Sequence, residues 1–351
     1  MRRGRGSGRA QDARATAGET PALRRPAVHP TLRNSERQTF LVGHLAMAAY
    51  QVCIDIGGIP ILVHTDSDEF ARMLEDRYGK FVTGDGPHAV TELEVKLIPP
   101  GIVCDAEDMC VRWDAGRWVM ERGDFRAEWD PQCHRGWVRQ TLRPYAIDAV
   151  LRILHSLILA REGGFLVHAA SAIRNGRAFL FAGVSGAGKT TICRLAPPDV
   201  ALLTDEVSYV RPREQGIGNR EQGTTSGVQD NRPHGTDRAE SFSPSLFPIP
   251  YSLFPAFDAF GTPFAGELAR VGENLRAHLA ALYLLAQGPE NRIEPVSEAE
   301  AVRGLLRNIL FFAQDEELVR MIFETVCDFV RRVPVRRLVF TPDARVWELI
   351  T

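Results

Sequence analysis

Gly183-Val184-Ser185-Gly186-Ala187-Gly188-Lys189-Thr190 satisfies the pattern G-x-x-x-x-G-K-[ST] at every specified position. Glycines at this spacing let successive backbone N–H groups converge on phosphate oxygens, an approach that side chains would obstruct. Lys189 brings positive charge to a β- or γ-phosphate. Thr190 brings a hydroxyl able to coordinate Mg²⁺. Residues 183–191, closing on Thr191, are therefore expected to grip the phosphates of a nucleotide such as ATP.

The motif needs a strand before it and a helix after it, and the flanks read that way. "AFLFAG" (178–183) is an apolar strand, and "KTTICRLA" (189–196) is a short helix stopped by Pro197 and Pro198. The following strand, "DVALLTDEVSYV", brings Asp205 and Glu206 to its C-terminal end. In a parallel α/β sheet that end faces the same crevice as the loop. An acid there can hold Mg²⁺ through water or accept the proton of an attacking hydroxyl. Ahead of the loop strand, "GFLVHAASAIRNGRAFLFAG" carries His168 after an apolar run and then a hairpin-like RNGR turn. On spacing alone, His168 reads as a packing residue as readily as a site residue.

The 351 residues, 44% hydrophobic and 25% charged, suffice for two domains plus tails. The net charge of −2 hides an Arg-rich stretch at 1–38 and a distinctly acidic remainder. An acidic body argues against nucleic acid as the main partner. Three lysines occur in the whole chain, Lys80, Lys96 and Lys189. Six cysteines lack any paired or ligand-like spacing, which points away from zinc and disulfides and toward a reducing, cytoplasmic setting. No apolar run reaches the length of a membrane span, so no membrane partner is expected. "FLVGHLAMAAY" (40–50) has leader-like features, but the basic region before it is too long for a secretory leader.

Residues 1–38 are expected to be a disordered Arg-rich tail, because so little apolar side chain cannot offset the entropy of ordering. Met47 stands just before the first strand-like run and is an alternative natural start. Residues 39–150 read as a small β-rich α+β domain with strands "YQVCIDI", "IPILVHT", "VTELEVKLI", "MCVRWDA", "RWVMERG" and "FRAEWD" and one helix around "SDEFARMLEDRYGKF". A longer helix, "AIDAVLRILHSLILARE" (146–162), leads into residues 151–351, the α/β nucleotide-binding part. Residues 213–243, with a repeated REQG, read as a flexible insert. "RAHLAALYLLAQG", "EAEAVRGLLRNILFF" and "EELVRMIFETVCDFVRRV" carry helical periodicity or apolar richness, and "VRRLVFT" and "RVWELI" look strand-like.

Taken together, "LVHAAS", "GVSGAGKTT", "LLTDE", "FGTPFAGEL", "LYLLAQGPENRIEPVS" and "RRVPVRRLVFTPDARVWELI" resemble the HPr kinase/phosphorylase C-terminal domain superfamily, whose nucleotide core is related to that of phosphoenolpyruvate carboxykinase. The likeness is greatest to HPr-kinase-related proteins with a small β-rich N-terminal domain. It covers 150–351 well and 50–150 loosely.

The resemblance implies a P-loop core of that type and Mg²⁺-assisted transfer from ATP to a serine-type hydroxyl of a protein or peptide. It implies Asp205 as general base, with His168 and Glu206 flanking the transferred phosphate. Lys189 and the loop would hold the phosphates, and Thr190 and Glu267 the Mg²⁺. Glu206 stands where HPr kinases carry Asp, and their EIRG signature is absent from the sequence, so the acceptor stays open. Two other readings also stay open: a nucleotide-binding regulatory module with little or no transfer, and a small-molecule kinase. Family analogy leaves a homo-oligomer open as well.

Overall fold

A computed structural model describes residues 49–84, 91–100, 108–213 and 257–351. The expectations for the 1–38 tail, for a start at Met47, for the leader-like 40–48 stretch and for 214–243 of the insert lie outside those residues. Everything described here belongs to one compact unit, His44–Thr351.

The chain opens with a hairpin of β1 (Tyr50–Ile56) and β2 (Ile59–Thr65). Gly57 and Gly58 turn it at φ 67° and 72°, values suited to a two-residue turn and to glycine. Helix α1 (Asp68–Tyr78) starts at Ser67, whose hydroxyl accepts the Phe70 N–H at 3.2 Å. It buries Phe70, Ala71, Leu74 and Tyr78 and leaves its charged face outward.

Next come β3 (Val82–Thr83), β4 (Thr91–Leu97) and a meander of β5 (Cys110–Asp114), β6 (Arg117–Arg122), β7 (Phe125–Asp130) and β8 (Arg135–Gln140). The sheet order is β3-β1-β2-β4-β8-β7-β6-β5. The six strands read from the sequence are all present. β3 and β8 are additional: one has two residues, and the other, RGWVRQ, is strongly charged and identifiable mainly by its pairing with β4 and β7.

Helix α2 (Pro144–Arg161) begins with Pro at its first turn and stops before Gly163, which sits at φ 72°. It is buried on nearly every side. That burial explains its apolar residues around most of the circumference, since it packs on β9 and also meets the first sheet. His155 Nε2 lies 3.3 Å from the Ile59 carbonyl oxygen, and the Arg161 guanidinium sits 5.8 Å from the centre of the Trp118 ring.

The second sheet contains β9 (Phe165–Arg174), β10 (Arg177–Ala182), β11 (Ala201–Thr204), β12 (Val207–Pro212), β13 (Phe257–Phe260), β14 (Arg276–Gln287), β15 (Arg292–Pro295) and β16 (Val335–Phe340). Its helices are α3 (Lys189–Arg194), α4 (Glu298–Leu306) and α5 (Glu316–Arg332). β10 pairs antiparallel with β9 and parallel with β14, so β10-β9-β12-β13-β14 closes into a five-stranded ring. β16 and β15 continue outward from β14. The architecture is mixed α/β, and among the described residues no helix is long and apolar enough to cross a membrane.

Four expectations change. "RAHLAALYLLAQG", read as helical or apolar-rich, is the strand β14, because pairing with β10, β13 and β16 buries it and overrides the helix preference of Ala and Leu. "RVWELI" is a 3₁₀ turn (Ala344–Leu349) that buries Trp347, whose Nε1–H donates to the Ile192 carbonyl at 3.1 Å. The helix read over "EAEAVRGLLRNILFF" ends at Leu306. "DVALLTDEVSYV" is two strands, β11 and β12, broken at Asp205-Glu206.

Candidate functional site

β9 lies between β10 and β11 and runs antiparallel to both, so β10 and β11 point the same way. The sheet here is not the parallel one expected. Even so, the C-terminal ends of β10 and β11 come out on one side, as a parallel sheet would place them. Ala182, at the end of β10, pairs with Ala169; Thr204, at the end of β11, pairs with Ser171; and His168 pairs with Val207. The loop, the acidic pair and His168 thereby reach one rim.

The loop after β10 is tightly built. A Cβ on Gly183 would stand 2.7 Å from that of Ala187, and one on Gly188 would stand 2.5 Å from Phe340 Cζ. Gly186 and Gly188 take φ 77° and 108°, which other residues resist. The Ala187 N–H donates to Val184 O at 3.0 Å, and Gln287 Nε2 donates to Gly186 O at 2.7 Å, tying the loop to the end of β14. The Lys189 ammonium is buried and donates to Gly183 O at 2.8 Å. Burial lowers its pKa, while the negative charges of Glu206 and Glu267 work the other way.

Thr204 holds the acidic pair in place. Its hydroxyl accepts the N–H groups of Glu206 (3.1 Å) and Val207 (3.3 Å) and donates to Phe264 O at 3.4 Å. Asp205 is buried, and its two carboxylate oxygens accept the N–H of Gly266 (2.8 Å) and of Leu268 (2.9 Å). Glu206 Oε1 accepts from Arg152 Nη1 at 3.4 Å, and that guanidinium lies 4.6 Å from the centre of the Phe264 ring. Burial raises the Glu206 pKa, with Asp205 and Asp148 adding to the rise and Arg152 opposing it. Behind Arg152 on α2, Asp148 accepts from Arg77 Nε at 2.9 Å and from the Tyr78 hydroxyl at 2.7 Å. The His168 pKa is lowered by burial, and the positive charges of Lys189 and Arg152 push it further down, which favours the neutral imidazole at the cavity.

One cavity of about 570 Å³ brings together His168, Lys189, Thr190, Asp205, Glu206 and Glu267, along with Ser185, Gly186, Gly188 and Thr191 of the loop. Gly183, Val184 and Ala187 shape the loop without lining the cavity. A second cavity of about 400 Å³ adjoins it at Gly188 and Thr191 and is walled by Gln287, Gly288, Phe340 and Pro342. Among the described residues, no group of three or more His, Cys, Asp or Glu is arranged to hold a metal by itself. Mg²⁺ does not require one, since it keeps several waters and binds through one or two carboxylates plus substrate phosphates. The oxygen donors present, Thr190, Glu206 and Glu267, fit that mode. Cys193, behind the loop, is inert as a nucleophile because burial pushes its thiol up to about 12.

Sequence reading missed Arg152, Asp148, Thr204, Gly266 and Leu268. Arg152 and Asp148 act through partners on other elements, and Gly266 and Leu268 through their backbone N–H groups, so no local pattern marks those four. Thr204 did carry a local signal, a hydroxyl placed to accept the N–H groups two and three residues on. No protein-family model matches this chain, and no curated protein matches its sequence.

Proposed function

We propose that the protein is an ATP-dependent kinase with a P-loop nucleotide core, transferring the γ-phosphoryl group to a serine-type hydroxyl of a peptide or protein. The observation that carries this is the single cavity holding Lys189, His168, Asp205, Glu206 and Glu267 against the glycine loop. The adjoining cavity walled by Phe340 and Pro342 supplies room for the base and sugar. Phosphates alone would not need it.

Loop N–H groups and Lys189 bind and orient the phosphates. Thr190, Glu206 and Glu267 would hold Mg²⁺, which neutralises charge on the β- and γ-phosphates. Phosphoryl transfer passes through a loose transition state, so catalysis is mostly positioning and electrostatics. The anchored Asp205 suits that demand: two backbone N–H bonds fix the carboxylate while each oxygen keeps a lone pair for the acceptor hydroxyl. As the hydroxyl oxygen bonds to the γ-phosphorus, the bond to the bridging oxygen breaks, ADP leaves and the hydroxyl proton passes to Asp205. Neutral His168 offers a hydrogen bond to a phosphoryl oxygen without adding charge.

The test is calorimetric titration with MgATP, paired with mass-spectrometric detection of phosphoserine in a pool of serine peptides. The wild-type protein is expected to bind MgATP and to phosphorylate, and Lys189→Ala to lose both. Wild-type binding with no phosphoserine would favour the regulatory module, and no binding would overturn both readings.

A further inference from the structure

A cleft of about 810 Å³ opens beside the phosphate cavity, and Ala265 and Gly266 line both. Its walls are the outward face of α1, the 263–271 segment, and Pro144 with Tyr145 at the start of α2. Its size falls within the roughly 300–1,000 Å³ of ligand clefts. We propose that this cleft docks the phosphoryl acceptor, and that the acceptor is an extended peptide segment carrying basic residues beside its serine. The proposal rests on the kinase reading and names its substrate class.

Continuity comes first. The Gly266 N–H that anchors Asp205 sits where the two cavities meet, so a chain lying in the cleft reaches the carboxylate that receives its hydroxyl proton. A Cβ on Gly266 would come within 2.9 Å of Asp205 Oδ2 and 3.1 Å of Glu206 Cβ, which shows how closely this wall backs the acidic pair.

Charge comes second. Asp68, Glu69 and Asp76 face the cleft with Arg72 and Arg77. Both cations are already paired, Arg72 with Asp68 at 2.5 Å and Arg77 with Asp148. Among the described residues Glu69 and Asp76 have no such partner, so two exposed negative charges remain for a ligand. Helix stability does not account for Asp76, because it lies near the C-terminal end of α1, where the helix dipole disfavours an anion.

Contact surface comes third. Tyr145 is 68% exposed, with the Arg77 guanidinium 5.3 Å from its ring centre, and Met73 and Val271 add apolar surface. An exposed aromatic of this kind is a common peptide anchor. An extended chain advances about 3.3 Å per residue, so a few residues on either side of the serine suffice to meet these groups.

The test uses fluorescence anisotropy of two labelled ten-residue serine peptides, one flanked by Arg and Leu and the other by Glu and Leu, with MgATP affinity measured in parallel. The whole protein is expected to bind the Arg peptide about tenfold more tightly than the Glu peptide. Glu69→Lys with Asp76→Lys should lose that preference, and the neutral pair Glu69→Gln with Asp76→Asn should lose part of it, both with unchanged MgATP affinity. Glu316→Lys with Glu317→Lys, the same charge change on α5, should leave peptide binding as it was. Equal binding of both peptides, or equal loss from the α5 pair, overturns the docking assignment even where MgATP binds normally. Failure of MgATP binding overturns the kinase reading instead.

Discussion

The Gly266 N–H donates to Asp205 Oδ1 at 2.8 Å, joining residues 61 positions apart in the sequence. The bond sets where one carboxylate stands at the meeting point of two cavities. Without it, Asp205 would have one backbone anchor, Leu268, in place of two.

Replacing Gly266 with Ala should therefore disturb transfer more than nucleotide binding. The new Cβ would press on Asp205 Oδ2 at 2.9 Å, and the acidic pair would have to shift. A displaced catalytic group costs on the order of 10–100-fold in rate. Steady-state assays of Gly266→Ala are expected to give that fall in kcat with a smaller loss of MgATP affinity, since Glu206 shifts with Asp205.

Arg152 should control the acid limb of the pH profile. Its charge opposes the rise in the Glu206 pKa and lowers that of His168, so removing it lets both groups take protons at higher pH. For Arg152→Met, the fall in kcat/KM on acidification is expected to begin at a higher pH than in the wild type. An unmoved limb would separate Arg152 from the ionisation of the site.

His155 should make stability fall on mild acidification. It is fully buried, and burial lowers its pKa from 6.5 to about 4. The unfolded chain takes up a proton below 6.5 that the folded chain refuses. The stabilisation is thus complete above pH 6.5 and is lost as pH falls toward 4, a change on the order of 3 kcal/mol. Denaturant midpoints across that window should drop for the wild type and drop less for His155→Gln, which does not titrate.

The parts of the site that were legible in the sequence are those whose chemistry is local. Gly183 to Thr190 was legible as a pattern because its glycines and Lys189 fall at a fixed spacing, and Asp205-Glu206 because they follow a strand; the structure brings both to one cavity. The anchors could not be read. Gly266 acts through its backbone N–H, and Arg152 reaches Glu206 from a helix 54 positions away in sequence. β14 was misread because an Ala- and Leu-rich run carries no sign of the three strands that bury it. β8 was missed because its neighbours, more than its own residues, make it a strand.

The most direct test of phosphoryl transfer through Asp205 is label transfer from γ-labelled ATP with Mg²⁺ to a pool of serine peptides, comparing wild type with Asp205→Asn. The substitution keeps size and one acceptor oxygen but removes the charge and the base. Retained ATP binding with transfer reduced by about 100-fold or more is expected. Transfer by Asp205→Asn within a few fold of wild type would contradict it.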